Sequence, residues 1–324
     1  MNIHVRLPDE ATNLMAAAIR RAAPKLEELG LATFRPDAAA DVDWIMTPDE
    51  PGNGPTIVFD KSASAGLASV SLRKLLMPAR PMLLVRRSCV KGELNNLPTV
   101  EHGRLFLQYL TQAPLQHTPR QLSAASLARL RPSPVSSIHY LRHDPLFAQA
   151  GQEEHPWADR DIDLMFVGTV EYAKDNMVSR LVQQHREKAI ADIRALSNKY
   201  VVVAEEGRPF RKEQMQQMTF RTKIVVSPWG LGESCYRDFE ALVSGCRVFK
   251  PFTPYAIETI CETYSKPHDA LTYVPPMAML GVPELDNLLQ REPDPELAHH
   301  LQHLRDPAVV AQMLFDLSKK VIGG

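Results

Sequence analysis

Short apolar runs separated by stretches of helical periodicity organise most of the chain. In the first half, Ile3 to Leu7, Val42 to Met46, Thr56 to Phe59 and Met82 to Val85 have the length and the apolar, partly β-branched make-up of buried strands. Between the first two, residues 10–29 place Leu14, Ala17, Ile19, Ala22, Leu26 and Leu29 at roughly helical spacing, which predicts a helix with one face on a sheet. The second half alternates more cleanly. Strands are predicted over 164–168, 200–204, 223–227 and 247–250, and helices over about 176–197, 211–219 and 233–244. Strand and helix alternating in this way give parallel sheets with right-handed crossovers, the doubly wound α/β class.

Two stretches interrupt the alternation. Residues 111–134 carry Pro114, Pro119, Pro132 and Pro134 among many polar side chains, and they predict loop with one short helix at most. Residues 144–161 are polar and acidic and end directly before the apolar run at Leu164, so a domain boundary is placed there. The resulting division is 1–158, 159–306 and a tail, 307–324, whose amphipathic helix is predicted to dock back across the first domain. A length of 324 residues suits two α/β domains of roughly 150 residues each.

Charge narrows the partners. Lys and Arg number 37 against 38 Asp and Glu, so no overall positive field is available to hold nucleic acid, and none is expected as a partner. Cys89, Cys235, Cys246 and Cys261 form no CxxC pair and have no His at metal-ligand spacing, which predicts reduced thiols and no metal site. The opening MNIHVRLPDEATNLM lacks the basic-then-apolar order of a signal peptide, and no run approaches the ~20 apolar residues of a membrane span. A cytoplasmic protein without a transmembrane segment is the expectation.

The chemistry concentrates between Lys223 and Lys250. The apolar run KIVVS leads into a loop with Pro228, Gly230 and Gly232, and then into a helix beginning near Glu233. Glycines let backbone N–H groups approach an anion, and a helix N-terminus adds about half a positive charge, so a diphosphate suits this place. Arg237 lies one turn into the helix and can contact phosphate bidentately; Glu240, at i+3, can accept hydrogen bonds from vicinal hydroxyls. Gly245 is predicted to end the helix in a left-handed cap. Strand, glycine loop and helix also punctuate α/β domains of every kind. Packing alone, however, does not explain Trp229 in the loop together with Arg237 and Glu240 on one helical face.

The pattern SPxGxGExxxRxFEAxxxGC, carried by Ser227, Pro228, Gly230, Gly232, Glu233, Arg237, Phe239, Glu240, Ala241, Gly245 and Cys246, resembles the donor-nucleotide segment of GT-B glycosyltransferases. The likeness is to bacterial polysaccharide enzymes and, more distantly, to exostosins. It extends to DLMFVGTVEY at 163–172 and ALTYVPP at 270–276. The resemblance implies two Rossmann-like domains facing a cleft, and transfer of a sugar from a nucleoside diphosphate sugar to a hydroxyl of a glycan or lipid-linked glycan. It assigns the donor ribose to Glu240 and the diphosphate to Gly230 and Gly232. The other expected donor contacts are Gly168, Thr169, Arg186, Ser227, Trp229, Glu233 and Arg237. Residues 252–259 depart from the family pattern, where many relatives carry an Asp-x-x-His stretch.

Several of these positions have plainer explanations. Gly168 and Thr169 close a strand and can be a simple turn. Arg186, though in the family-like place for phosphate, is a lone helical arginine whose ordinary state is solvent exposure, and His185 beside it lies on an apolar stripe. Asp60 at a strand end and His102 in Glu101-His102-Gly103-Arg104 are the candidate catalytic bases; a turn and a polar helix start are the competing readings. His155 reads as solvated linker. No cofactor is expected beyond the donor itself, because Asp41-Val-Asp43 and Asp161-Ile-Asp163 border strands rather than forming a suitable metal-binding DxD element. Lipid-linked acceptors leave peripheral contact with the inner membrane face open. The alternatives are a nucleotide-sugar epimerase of the same fold and a non-catalytic nucleotide-sugar-binding subunit.

Overall fold

The apolar runs of the first half assemble into one parallel sheet. The computed structural model describes residues 1–6, 14–34, 40–45, 55–60, 82–86, 89–90, 130–132, 155–171, 177–228, 236–251, 256–257, 264, 266, 269–274, 285–304 and 306–323. In chain order the first elements are β1 (Asn2–Arg6), α1 (Leu14–Glu28), β2 (Thr33–Phe34), β3 (Val42–Ile45), β4 (Thr56–Asp60), β5 (Met82–Arg86), β6 (Cys89–Val90) and β7 (Leu130–Pro132). The six-stranded sheet has the order β2-β1-β3-β4-β5-β7, with parallel neighbours throughout. α1 buries Ala16, Ala18, Ile19, Ala22 and Leu26 against Ile3, Val42, Trp44, Ile57 and Phe59.

Two expectations need correction. Leu29, placed on the buried stripe, is 54% exposed: α1 stops at Glu28 and the chain turns back at Gly30, whose φ of 67° is the left-handed conformation open to glycine. Leu130–Pro132 lie within the stretch read as loop, yet they add β7 to the sheet edge beside β5. A proline is tolerated on such an edge, where its missing N–H is not needed.

The second half continues with a 3-10 turn (Trp157–Asp159), β8 (Ile162–Gly168), α2 (Met177–Ala195), β9 (Val202–Glu206), α3 (Lys212–Phe220), β10 (Thr222–Val226), α4 (Tyr236–Val243), β11 (Arg247–Pro251), β12 (Ala256–Ile257) and β13 (Leu271–Val274). Three helices follow: α5 (Leu285–Gln290), α6 (Pro295–His303) and α7 (Pro307–Ile322). Its sheet has the order β13-β11-β10-β8-β9, again parallel. Both faces are covered. On β10, Ile224 and Val226 join Ala189, Ile190 and Ile193 of α2, while Val225 joins Phe239 and Leu242 of α4 and Leu297 and Leu301 of α6. Burial on two sides explains why KIVVS is continuously apolar instead of alternating.

Buried arginines at the lower edge of this sheet donate to main-chain carbonyls, and Arg247 also pairs with the Asp269 carboxylate at 2.9 Å. Arg160 donates to Thr222 O at 2.7 Å and Ser244 O at 2.8 Å. Arg247, fully buried, donates to Asp269 O at 2.8 Å and Arg291 O at 2.9 Å. His155, expected to be solvated linker, instead stacks on Phe220 with ring centroids 4.4 Å apart. The two halves are joined by β6 and β12, which pair antiparallel, and by α7, which packs on α1, β3, β4 and β5. Asp306 caps α7 by accepting from Ala308 N at 2.7 Å. Among the described residues, no helix is long and apolar enough to cross a membrane.

Trp44, at the centre of the first sheet, donates its indole N–H to Ser318 Oγ of α7 at 2.9 Å, and both residues are fully buried. Ser318→Ala leaves that N–H without an acceptor, so urea unfolding is expected to show a loss of ~1–3 kcal/mol. A loss below ~0.5 kcal/mol would mean that α7 is not seated on β3 as described.

Candidate functional site

β8 and β10 are neighbours, but they hand the chain to opposite faces of the sheet. β8 leads through α2 to β9 on one flank, and the chain returns through α3 to β10 on the other flank, with α2 on one face and α3 and α4 on the other. Loops that diverge from adjacent strands leave a crevice at the strands' C-terminal ends, where open α/β sheets bind ligands. Gly168 and Thr169 at the end of β8, Ser227 after β10 and the first turn of α4 all belong to this edge.

Arg237, the second residue of α4, reaches sideways to β8. Its Nη2 donates to Val167 O at 2.7 Å, and its guanidinium lies over the Phe166 ring, 4.7 Å from the centroid. Gly168 makes the room: a Cβ there would stand 2.3 Å from Arg237 Nη2. The other terminal nitrogen, Nη1, is buried, and among the described residues it has no hydrogen-bond partner and no carboxylate pairs with this arginine. An unsatisfied buried donor costs ~1–3 kcal/mol, and more when charged. The geometry therefore suits an anion arriving from outside the protein.

Arg186 differs from its sequence expectation of solvent exposure. It is only 6% exposed, and its Nη1 donates to the Thr169 carbonyl. The reason is its place on the inner stripe of α2, where Val182, Ala189 and Ile193 are also buried. Two guanidinium groups thus grip alternate carbonyls on either side of Gly168. His185 is a buried helical histidine.

Asp238, which the sequence reading passed over, is fully buried and receives the Ser227 hydroxyl on Oδ1 and the Lys250 ammonium on Oδ2. Ser227 N donates to Phe249 O at 2.8 Å, so Ser227, expected as a donor contact, has its hydroxyl turned inward to the carboxylate. The available signal was Lys250 itself, a lysine inside the apolar strand Arg-Val-Phe-Lys. Glu240 is half-buried one turn after Arg237, and its carbonyl accepts from Ser244 Oγ at 2.8 Å.

The far end of the motif is packing. Gly245 has φ 71°, and a Cβ there would meet Arg160 Nη2 at 3.0 Å. Cys246 is a buried free thiol donating to Thr219 O at 3.2 Å, and burial pushes its pKa up despite the opposing influence of Arg160. Trp229, Gly230, Gly232, Glu233 and His102 lie outside the described residues, as does the Asp60 side chain; the Asp60 backbone ends β4 in register with Arg86.

Both Asp-x-Asp pairs are engaged away from the crevice. Asp41 accepts from Asn2 N at 2.7 Å, and Asp43 binds His4 Nδ1 at 3.0 Å and Arg6 Nη2 at 3.4 Å. Asp161 pairs with Arg221, and Asp163 accepts from Val201 N at 3.0 Å, at the opposite end of β8 from Gly168. Among the described residues, no three His, Cys, Asp or Glu side chains come together as metal ligands. No protein-family model matches the chain, and no curated protein matches it.

Gly168→Ala tests the anion site by steric means. The flexible guanidinium can move, so the fold should survive with little change in melting temperature, but the hold on Val167 O and Phe166 is lost. Calorimetry is expected to show affinity for pyrophosphate or a nucleoside diphosphate falling by about tenfold. Unaltered affinity in the folded variant would dissociate Arg237 from any ligand.

Proposed function

We propose that the chain is a glycosyltransferase of GT-B architecture, moving a sugar from a nucleoside diphosphate sugar to a hydroxyl of a glycan or lipid-linked glycan. The observation that carries this reading is the buried Nη1 of Arg237, without an acceptor among the described residues, at the first turn of a helix beside the C-terminal ends of the adjacent strands β8 and β10. Two helix-flanked parallel sheets supply the architecture such an enzyme requires. The resemblance of 227–246 to donor-nucleotide segments supplies the substrate class.

In the proposed reaction the bond from the anomeric carbon to the diphosphate oxygen breaks, and negative charge grows on the departing nucleoside diphosphate. Arg237 and the positive end of the α4 dipole face that charge and stabilise it in place, with no metal ion required. Glu240 accepts hydrogen bonds from the donor ribose. The acceptor hydroxyl loses its proton to a base from the first half, for which Asp60 and His102 are the candidates.

Incubation with UDP-, GDP-, ADP-, CMP- and dTDP-linked sugars in EDTA is expected to release the nucleotide from one of them by hydrolysis or transfer. An isomerised donor would favour the epimerase, and binding without turnover a non-catalytic subunit. Turnover abolished by EDTA and restored by Mn²⁺ or Mg²⁺ would overturn the mechanism. For Glu240→Gln, weaker bonds to the ribose should lower donor affinity by about tenfold or more while melting changes little. A lowered melting temperature with intact affinity would make Glu240 scaffold.

A further inference from the structure

We propose that Asp238 is a positioning residue for the nucleotide site: by joining Ser227 to Lys250, it sets the angle of the first turn of α4 and so aims Arg237. This rests on the donor-site reading above. The three residues come from three elements: Ser227 from the exit of β10, Asp238 from α4, and Lys250 from the end of β11. Their exposures are 2%, 0% and 2%. A buried Lys–Asp pair gives little net stability compared with apolar side chains of similar volume, because desolvating both charges offsets their attraction. What it does supply is direction. The two carboxylate oxygens are engaged by different partners, which holds the carboxylate against rotation and ties α4 to two strand ends at once. Arg237 is the adjacent residue on that turn, and its reach to Val167 O leaves Nη1 without an acceptor among the described residues. Apolar side chains would fill the same space without fixing that angle.

The experiment is the combined variant Ser227→Ala, Asp238→Leu, Lys250→Met, studied by melting and by calorimetry with the nucleoside diphosphate that the wild type binds. The variant is expected to melt no lower than the wild type while its affinity falls by about tenfold or more. A folded variant that binds as the wild type does would overturn the positioning role. Should the combined variant not fold, Ser227→Ala alone decides, since it removes the loop arm and leaves the ion pair: affinity reduced severalfold supports the role, and unchanged affinity refutes it. Failure of the wild type to bind any nucleoside diphosphate would instead remove the donor-site reading on which the role depends.

Discussion

The first turn of α4 is held from two sides, by Asp238 against the ends of β10 and β11 and by Arg237 against the end of β8. This double attachment works only because β8 and β10 are adjacent, so that a helix leaving β10 starts above the exit of β8. The strand order therefore decides where Arg237 can reach. Gly168 completes the arrangement by leaving unoccupied the volume that the guanidinium enters.

The buried Arg160, Arg186 and Arg247 and the half-buried Arg237 differ in how their guanidinium nitrogens are used. Arg160 and Arg247 direct their guanidinium groups to main-chain carbonyls at the lower edge of the sheet, and Arg247 is also paired with the Asp269 carboxylate. Arg186 grips the Thr169 carbonyl at the upper edge. Arg237 uses Nη2 in the same manner, but its Nη1 has no acceptor among the described residues. A buried donor left without an acceptor lowers the stability of the ligand-free protein by ~1–3 kcal/mol.

Local pattern made much of this legible. The apolar runs and the 3.6-residue stripes located β1, β3, β4, β5, β8, β10 and β11 and the helices between them, because strands covered on both faces must be continuously apolar. Gly245 was readable as a cap because its φ of 71° is costly for other residues. Arg186 was misplaced although its own helix held the clue: Val182, Ala189 and Ile193 run through its position at helical spacing. β7 escaped because a three-residue edge strand carries almost no periodic signal and is defined by its pairing with β5. The Asp238–Lys250 contact joins a helix to a strand, and no helical or strand spacing links two such positions in the sequence.

The central claim is that Nη1 of Arg237, without an acceptor among the described residues, awaits the diphosphate of a nucleotide. Arg237→Met keeps apolar contact with Phe166 but removes the charge, and it separates ligand from scaffold in paired measurements of melting and nucleotide binding. The account predicts that the ligand-free variant melts at or above the wild-type temperature while nucleoside diphosphate affinity drops by about a hundredfold, the equivalent of ~2.8 kcal/mol. A variant that melts lower and binds the nucleotide as tightly as the wild type would contradict it.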